Sequence, residues 1–142
     1  RLGLAAGCLG AAKEAFKLAF SYASQRVQFG KTLIEQEAIQ FYFAEMRAKI
    51  YMMESAIYRA AAAADRGKDY RLEAAILKLT CSEMCSDIID RALQIFGGYG
   101  YMEDYPIARM YRDARINRIF EGTNEIQKLM IFKEIFKSGG KL

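Results

Sequence analysis

IQFYFAEMRAKIYMMESAIYRAAAAA, residues 39–64, decides the fold. Ile39, Phe43, Met46, Ile50, Met53, Ile57, Ala60 and Ala64 recur at alternating steps of four and three. That spacing lines one side of an α-helix with apolar groups and leaves the other side polar. The alanine run at its end adds helix propensity. The spacing predicts a helix over 35–66, with Gly67 as its C-terminal cap.

Working outward, Leu2, Ala5, Leu9, Ala12, Phe16, Ala19 and Ala23 give a second helical stripe, predicting a helix over 2–27. Gly3, Gly7 and Gly10 cost helix stability there and imply close approach by a neighbouring helix or a ligand. Beyond Gly67, Asp69 can cap a helix over 70–96, whose expected apolar face is Leu72, Ile76, Leu79, Met84, Ile88, Ala92 and Ile95. Gly97-Gly98-Tyr99-Gly100 stops it. Pro106 suits the first position of a short helix to about Ile116, and a last helix runs from about Thr123 to Phe136. Ser138–Leu142 reads as a frayed tail. No stretch alternates like a strand, and a single proline is in keeping with long helices. The expected fold is all-α, one domain over residues 1–142: an antiparallel bundle of three long helices and two shorter C-terminal ones, each burying its stripe against the others.

Composition removes whole classes of chemistry. The chain has no histidine, which excludes Ser-His-Asp and Cys-His catalysis and His-ligated metals. Cys8, Cys81 and Cys85 show no CxxC spacing; no metal site is expected, and the thiols read as small buried residues in a reducing compartment. The expected location is cytoplasmic, with the mitochondrial matrix as the alternative. The net charge of +4 is too small and scattered for nucleic acid, though it suits an anionic small ligand. No apolar run approaches the ~18 residues of a membrane helix. The chain begins at Arg1 without methionine and reads as a fragment or processed product, so it says little about targeting of a parent protein.

Four stretches could carry chemistry. In Phe120-Glu121-Gly122-Thr123-Asn124-Glu125 a carboxylate precedes a helix N-terminus beside an apolar wall; Glu121 is either a proton-abstracting base or a solvated loop residue. In Arg26-Val27-Gln28-Phe29-Gly30-Lys31, Arg26 could hold a phosphate and Phe29 could cover a flat ring, or the arginine merely satisfies a helix dipole. Gln94-Ile95-Phe96-Gly97-Gly98-Tyr99-Gly100 follows a helix and lacks the GxGxxG order, so a Rossmann reading fails. Arg109, Arg112, Arg115 and Arg118, one every three residues, suit a salt-bridged surface better than an anion site.

Arg-x-x-Phe-Gly-Lys, the long amphipathic helix, Gln-Ile-Phe-Gly-Gly-x-Gly, then Arg-Asp and Phe-Glu-Gly-Thr-Asn-Glu, in that order, resemble the C-terminal domain of acyl-CoA dehydrogenases from Arg1 to about Lys133. The resemblance implies oxidation of an acyl-CoA thioester to the 2,3-enoyl-CoA, Glu121 taking the Cα proton while the Cβ hydride passes to FAD. It implies Arg1, Gly122 and Lys133 on the acyl-CoA side. Arg26, Val27, Gln28 and Phe29 would touch FAD bound mainly by a neighbouring subunit; Gln94, Gly97 and Gly98 its adenosine–pyrophosphate part; Thr123, Asn124 and Glu125 its contacts at the head of the last helix. The family usually has glutamine at the position of Glu37, where an acid would face an anionic cofactor, so Gln36 is taken as the contact instead. The implied partners are an electron-transfer flavoprotein as acceptor and further copies of the chain in a dimer or tetramer. The family's N-terminal helical and middle β domains are absent, so the chain alone is expected to be inactive and to bind FAD weakly. An acyl-CoA oxidase is the alternative within flavoenzymes, and a non-catalytic assembly module the alternative outside them.

Overall fold

The computed structural model describes residues 1–141; Leu142 lies outside the described residues, and with it the end of the expected tail. Five helices carry the chain: α1 (Leu2–Gln25), α2 (Glu37–Asp65), α3 (Arg71–Phe96), and, after the single turn α4 (Gly98–Tyr101), α5 (Pro106–Ile116) and α6 (Asn124–Lys137). The bundle is therefore all-α, with three long helices and two shorter ones, as the periodicity predicts.

The side-chain pairs fix the course of each helix. Lys13 pairs with Glu54, and Phe20 meets Phe43 edge-on at 5.3 Å, so α1 and α2 run antiparallel. Lys49 pairs with Asp87, and Arg91 lies over the Tyr42 ring, so α2 and α3 run antiparallel as well. Tyr22 stacks on Phe96 with ring centroids 4.3 Å apart, which brings the ends of α1 and α3 together. Helices α5 and α6 both dock on α3.

The α2 seam behaves as read. Phe43, Met46, Ile50, Met53, Ile57 and Ala60 are buried. On α1 the buried side is made almost wholly of small groups, Ala5, Cys8, Ala12, Ala15, Ala19 and Ala23, with Leu9 among them. The α3 face departs from expectation. Leu72 and Ile76 are exposed, while Ala74, Leu77, Lys78, Cys81, Ser82 and Cys85 are buried. This helix packs against α1, α2, α5 and α6. A helix covered on several sides buries a wide arc, and a single apolar stripe no longer marks it. All three cysteines are free and buried. Burial pushes the Cys81 thiol up to about 12, so it acts as a small packing group.

Four local expectations change. Helix α1 ends at Gln25, because Arg26 is extended and Val27–Gln28 pairs antiparallel with Lys31–Thr32 in a minimal hairpin. Two-residue strands are too short to show alternation. Gly3, Gly7 and Gly10 have no heavy atom within 4 Å of an added Cβ, so no helix approaches them. The α3 N-cap is Tyr70, while Asp69 accepts from the Arg71 amide at 3.1 Å and grips its guanidinium. The chain after α6 is capped, not frayed, as the Gly140 amide returns to the Ile135 carbonyl at 3.0 Å.

Truncation of the α2 seam measures how much the bundle depends on it. Met53 is 1% exposed, so Met53→Ala is expected to cost about 2–5 kcal/mol in urea unfolding followed by circular dichroism.

Candidate active site

The carboxylate sits in a closed loop. After α5 the chain turns through Asn117–Thr123, and the Asn124 amide donates back to the Arg118 carbonyl at 3.1 Å. Thr123 caps α6 by accepting from the Ile126 amide at 3.3 Å. Between these anchors Glu121 has φ +55° and Gly122 φ +86°. The left-handed region is costly for a residue with a Cβ, so Glu121 is held there by its surroundings. Gly122 is required for a second reason: a Cβ would stand 2.8 Å from Gln127 Nε2. That nitrogen donates to the Gly122 carbonyl at 3.0 Å.

The Glu121 side chain is 53% exposed and lies 3.6 Å from the Arg1 backbone nitrogen. It stands at the edge of a cleft of about 620 Å³. The apolar walls are Gly3, Leu4, Gly7 and Ala11 of α1, Ile89 of α3, and Met110, Ile116 and Phe120, while Arg109, Asp113 and Asn117 add polar groups to the lining. The glycines therefore open the α1 wall of this cleft, which favours the ligand reading over helix packing. A carboxylate beside a cleft with apolar walls can meet a C–H bond of a chain lying in it.

Beneath the loop lies a polar cluster that sequence reasoning missed. Lys78 Nζ donates to Asn124 Oδ1 at 2.8 Å, and Asn124 Nδ2 donates to Glu83 Oε1 at 2.8 Å and to Ser82 Oγ at 3.0 Å. Arg118 Nε also donates to Glu83 Oε1, at 3.1 Å. Burial pushes the Lys78 ammonium below its usual value, while Cys8, Glu125, Glu121 and Glu83 pull it back. The signal for this cluster was the spacing of Lys78 with Cys81, Ser82 and Cys85 at i, i+3, i+4 and i+7, which puts the lysine on one helix side with small buried groups. The structure also corrects Asn124. Its side chain is 2% exposed and fully engaged inside the bundle, and its amide belongs to Arg118, so it has no group left for a cofactor. Glu125 remains exposed; its own amide, then the Thr123 hydroxyl, hold its carboxyl below the usual range.

Most of the remaining candidates gather at the other end of the bundle. Arg26, Gln28, Gly97 and Gly98 line a second cleft of about 620 Å³ with Tyr22, Phe96, Tyr99 and Met102. The Arg26 guanidinium lies 5.4 Å from the Tyr99 ring centroid. Phe29, at the hairpin tip with φ +55°, is 96% exposed. Val27 is exposed beside it, and Gln94 is exposed at the end of α3. Gly97 takes φ +60°, ψ −139°, a conformation that suits glycine alone. Gln36 is the N-cap residue of α2 and its side-chain Nε2 donates to the Gln28 carbonyl at 3.5 Å, and Glu37 occupies the first turn, where a helix favours an acid. Aromatic walls, one guanidinium and an exposed phenylalanine suit a flat heteroaromatic group with phosphates. Lys133 is exposed on α6, well down the helix from Glu121.

The resemblance already assigns Arg26, Val27, Gln28 and Phe29 to FAD held mainly by a neighbouring subunit, apart from the Glu121 group. The structure separates them into two clusters at opposite ends of α1, whose 24 residues span roughly 36 Å at 1.5 Å per residue. The arginine row is the expected salt-bridged surface in three of its members: Arg109 with Asp113, Arg112 with Glu103, and Arg118 with Glu83.

The sequence matches the family described as acyl-CoA dehydrogenase, C-terminal domain, over residues 1–136. It is 45% identical over 130 residues to the short-chain-specific acyl-CoA dehydrogenase of Megasphaera elsdenii, covering 92% of this chain and 34% of that protein. It is 40% identical over 137 residues to the caffeyl-CoA reductase-Etf complex subunit CarC of Acetobacterium woodii, covering 96% of this chain and 36% of that one. The fold superposes on butyryl-CoA dehydrogenase from Megasphaera elsdenii with a TM-score of 0.93 and 43% identity, over 96% of this chain and 36% of that structure. The chain thus spans about a third of the length of the relatives it matches. The loop that presents Glu121, the cleft it faces and these matches agree: the chain belongs to the acyl-CoA dehydrogenase family, and what it carries is that family's C-terminal domain.

Proposed function

We propose that this chain is the C-terminal part of an FAD-dependent enzyme that interconverts an acyl-CoA thioester and its 2,3-enoyl-CoA, with Glu121 as the base. The observation that carries it is a carboxylate held in the left-handed region at the mouth of an apolar cleft, with no side chain among the described residues donating to it. Abstraction of a Cα proton needs a base within hydrogen-bond reach of that carbon. Leu4, Ile89, Met110 and Phe120 give the acyl chain apolar walls. FAD supplies the acceptor for the Cβ hydride. The residues this chain would offer the cofactor are Arg26, Val27, Gln28, Phe29, Gln36, Gln94, Gly97 and Gly98 at one end, and Thr123 and Glu125 at the other; on the thioester side they are Arg1, Gly122 and Lys133.

The separation of the two cofactor clusters supports an oligomer. Ends of one rod cannot both serve a single cofactor, so the Arg26 end of one copy would meet the Glu121 end of another. Exposed apolar groups supply surface for that contact: Phe41, Tyr51 and Tyr58 on α2, and Leu129, Phe132 and Phe136 on α6. A dimer or tetramer is the proposed assembly, which a light-scattering mass of one chain at high concentration would contradict. An electron-transfer flavoprotein is the proposed redox partner, in keeping with the Etf-complex name of the Acetobacterium relative. Because that relative is named a reductase, the redox partner would set the direction of reaction. The proposed location is cytoplasmic, with the mitochondrial matrix as the alternative.

Glu121→Gln in the full-length enzyme is expected to lower kcat by at least about a thousandfold with flavin retained, since an amide cannot take the proton; near wild-type turnover would end the reading. Gly122→Ala places a methyl against Gln127 and is expected to lower kcat and the melting temperature together. Phe29 touches little of the bundle, so Phe29→Ala is expected to weaken flavin retention in the holoenzyme, read as the A450/A280 ratio after gel filtration, without changing the far-UV spectrum. The 142-residue chain alone is expected to show no turnover and no stoichiometric yellow colour.

A further inference from the structure

Among the described residues, four polar side chains are buried: Lys78, Ser82, Asn124 and Gln127. All four stand under or beside the Glu121 loop. Lys78, Ser82 and Asn124 form one hydrogen-bonded group. Gln127 grips the Gly122 carbonyl, and its Oε1 has no partner. Buried polar groups are costly, and a bundle of this kind gains more from apolar packing at such positions. The cost is concentrated where the chain holds a non-glycine residue at positive φ.

The connectivity is specific. Glu83 of α3 accepts from Arg118 at the start of the loop and from Asn124 at its end. Lys78, one α3 turn below, fixes Asn124 from the other side of its amide. The loop is thus tied to one helix at both ends and held at Gly122 in between. We propose that Lys78 and Glu83, acting through Asn124 and Arg118, are positioning residues for Glu121: they fix the loop so that the carboxylate faces the cleft. This rests on the reading of Glu121 as the base. A misplacement of about 1 Å at a reacting group can cost roughly a hundredfold in rate, so a tether of this kind acts on kcat.

The test uses the full-length flavoenzyme with butyryl-CoA and a dye acceptor, alongside Glu121→Gln. Lys78→Met keeps volume and removes the ammonium. The expected result is a melting temperature and flavin content like wild type, KM within about threefold, and kcat lowered roughly tenfold to a hundredfold. Amide hydrogen exchange at residues 119–123 is expected to be faster. Glu83 is half-exposed, so Glu83→Ala leaves the fold in place and is expected to give the same signature, with Glu83→Gln recovering most of the loss by restoring an acceptor. A kcat within about twofold of wild type in both Lys78→Met and Glu83→Ala overturns the proposal, as does a kcat that only tracks the folded, flavin-loaded fraction. If those variants are active while Glu121→Gln is dead, the base reading stands and the positioning role falls. If Glu121→Gln is fully active, both fall.

Discussion

The close seam between α1 and α3 governs what the other parts of the domain can do. On α1 it is built from Ala5, Cys8, Ala12, Ala15, Ala19 and Ala23, all nearly inaccessible. Side chains this small let two helix backbones approach closely, and many short contacts then replace a few large ones. Across from them stand Cys81, Cys85, Ala92 and Phe96 on α3. The seam holds α1 as a rod, with Tyr22 and Arg26 at one end and Gly3, Leu4 and Gly7 at the other. The two clefts are therefore fixed at a distance by the least conspicuous side chains in the molecule.

Helix α3 then does two things at once. Its apolar residues close the bundle against α1 and α2, and its polar ones receive the loop before α6. Helix α6 starts at Ser82 and runs back toward Arg71, so its head is anchored while its outer side, with Leu129 and Phe132, stays open. The cap at Thr123, the closure at Arg118 and the Gln127 contact are short-range bonds, and the α3 contacts are long-range ones. Together they over-determine the seven-residue loop 117–123, which is what a residue at unfavourable φ requires.

Much of the fold was legible because α2 hides one stripe and shows the other side to water, so its pattern and its burial coincide. The pattern misled on α3, where Leu72 and Ile76 are open and Lys78 and Ser82 are enclosed. Sequence periodicity records one burial direction, and α3 has several. The hairpin at Val27–Thr32 was invisible because two-residue strands have no period. The motif order singled out candidate residues without their distribution: Arg26 and Glu121 both flank helix ends, and only the course of the helices shows that these ends are opposite. For Asn124, its place at the head of α6 was read correctly, while the direction of its side chain depends on how α6 docks.

The φ of +55° at Glu121 has an evolutionary consequence. Glycine or asparagine would occupy this backbone conformation with less strain, by roughly 1 kcal/mol. Selection for stability alone would remove the carboxylate. On the proposed role of Glu121 as the base, this dihedral angle marks a place where the domain stays below its stability optimum for the sake of chemistry.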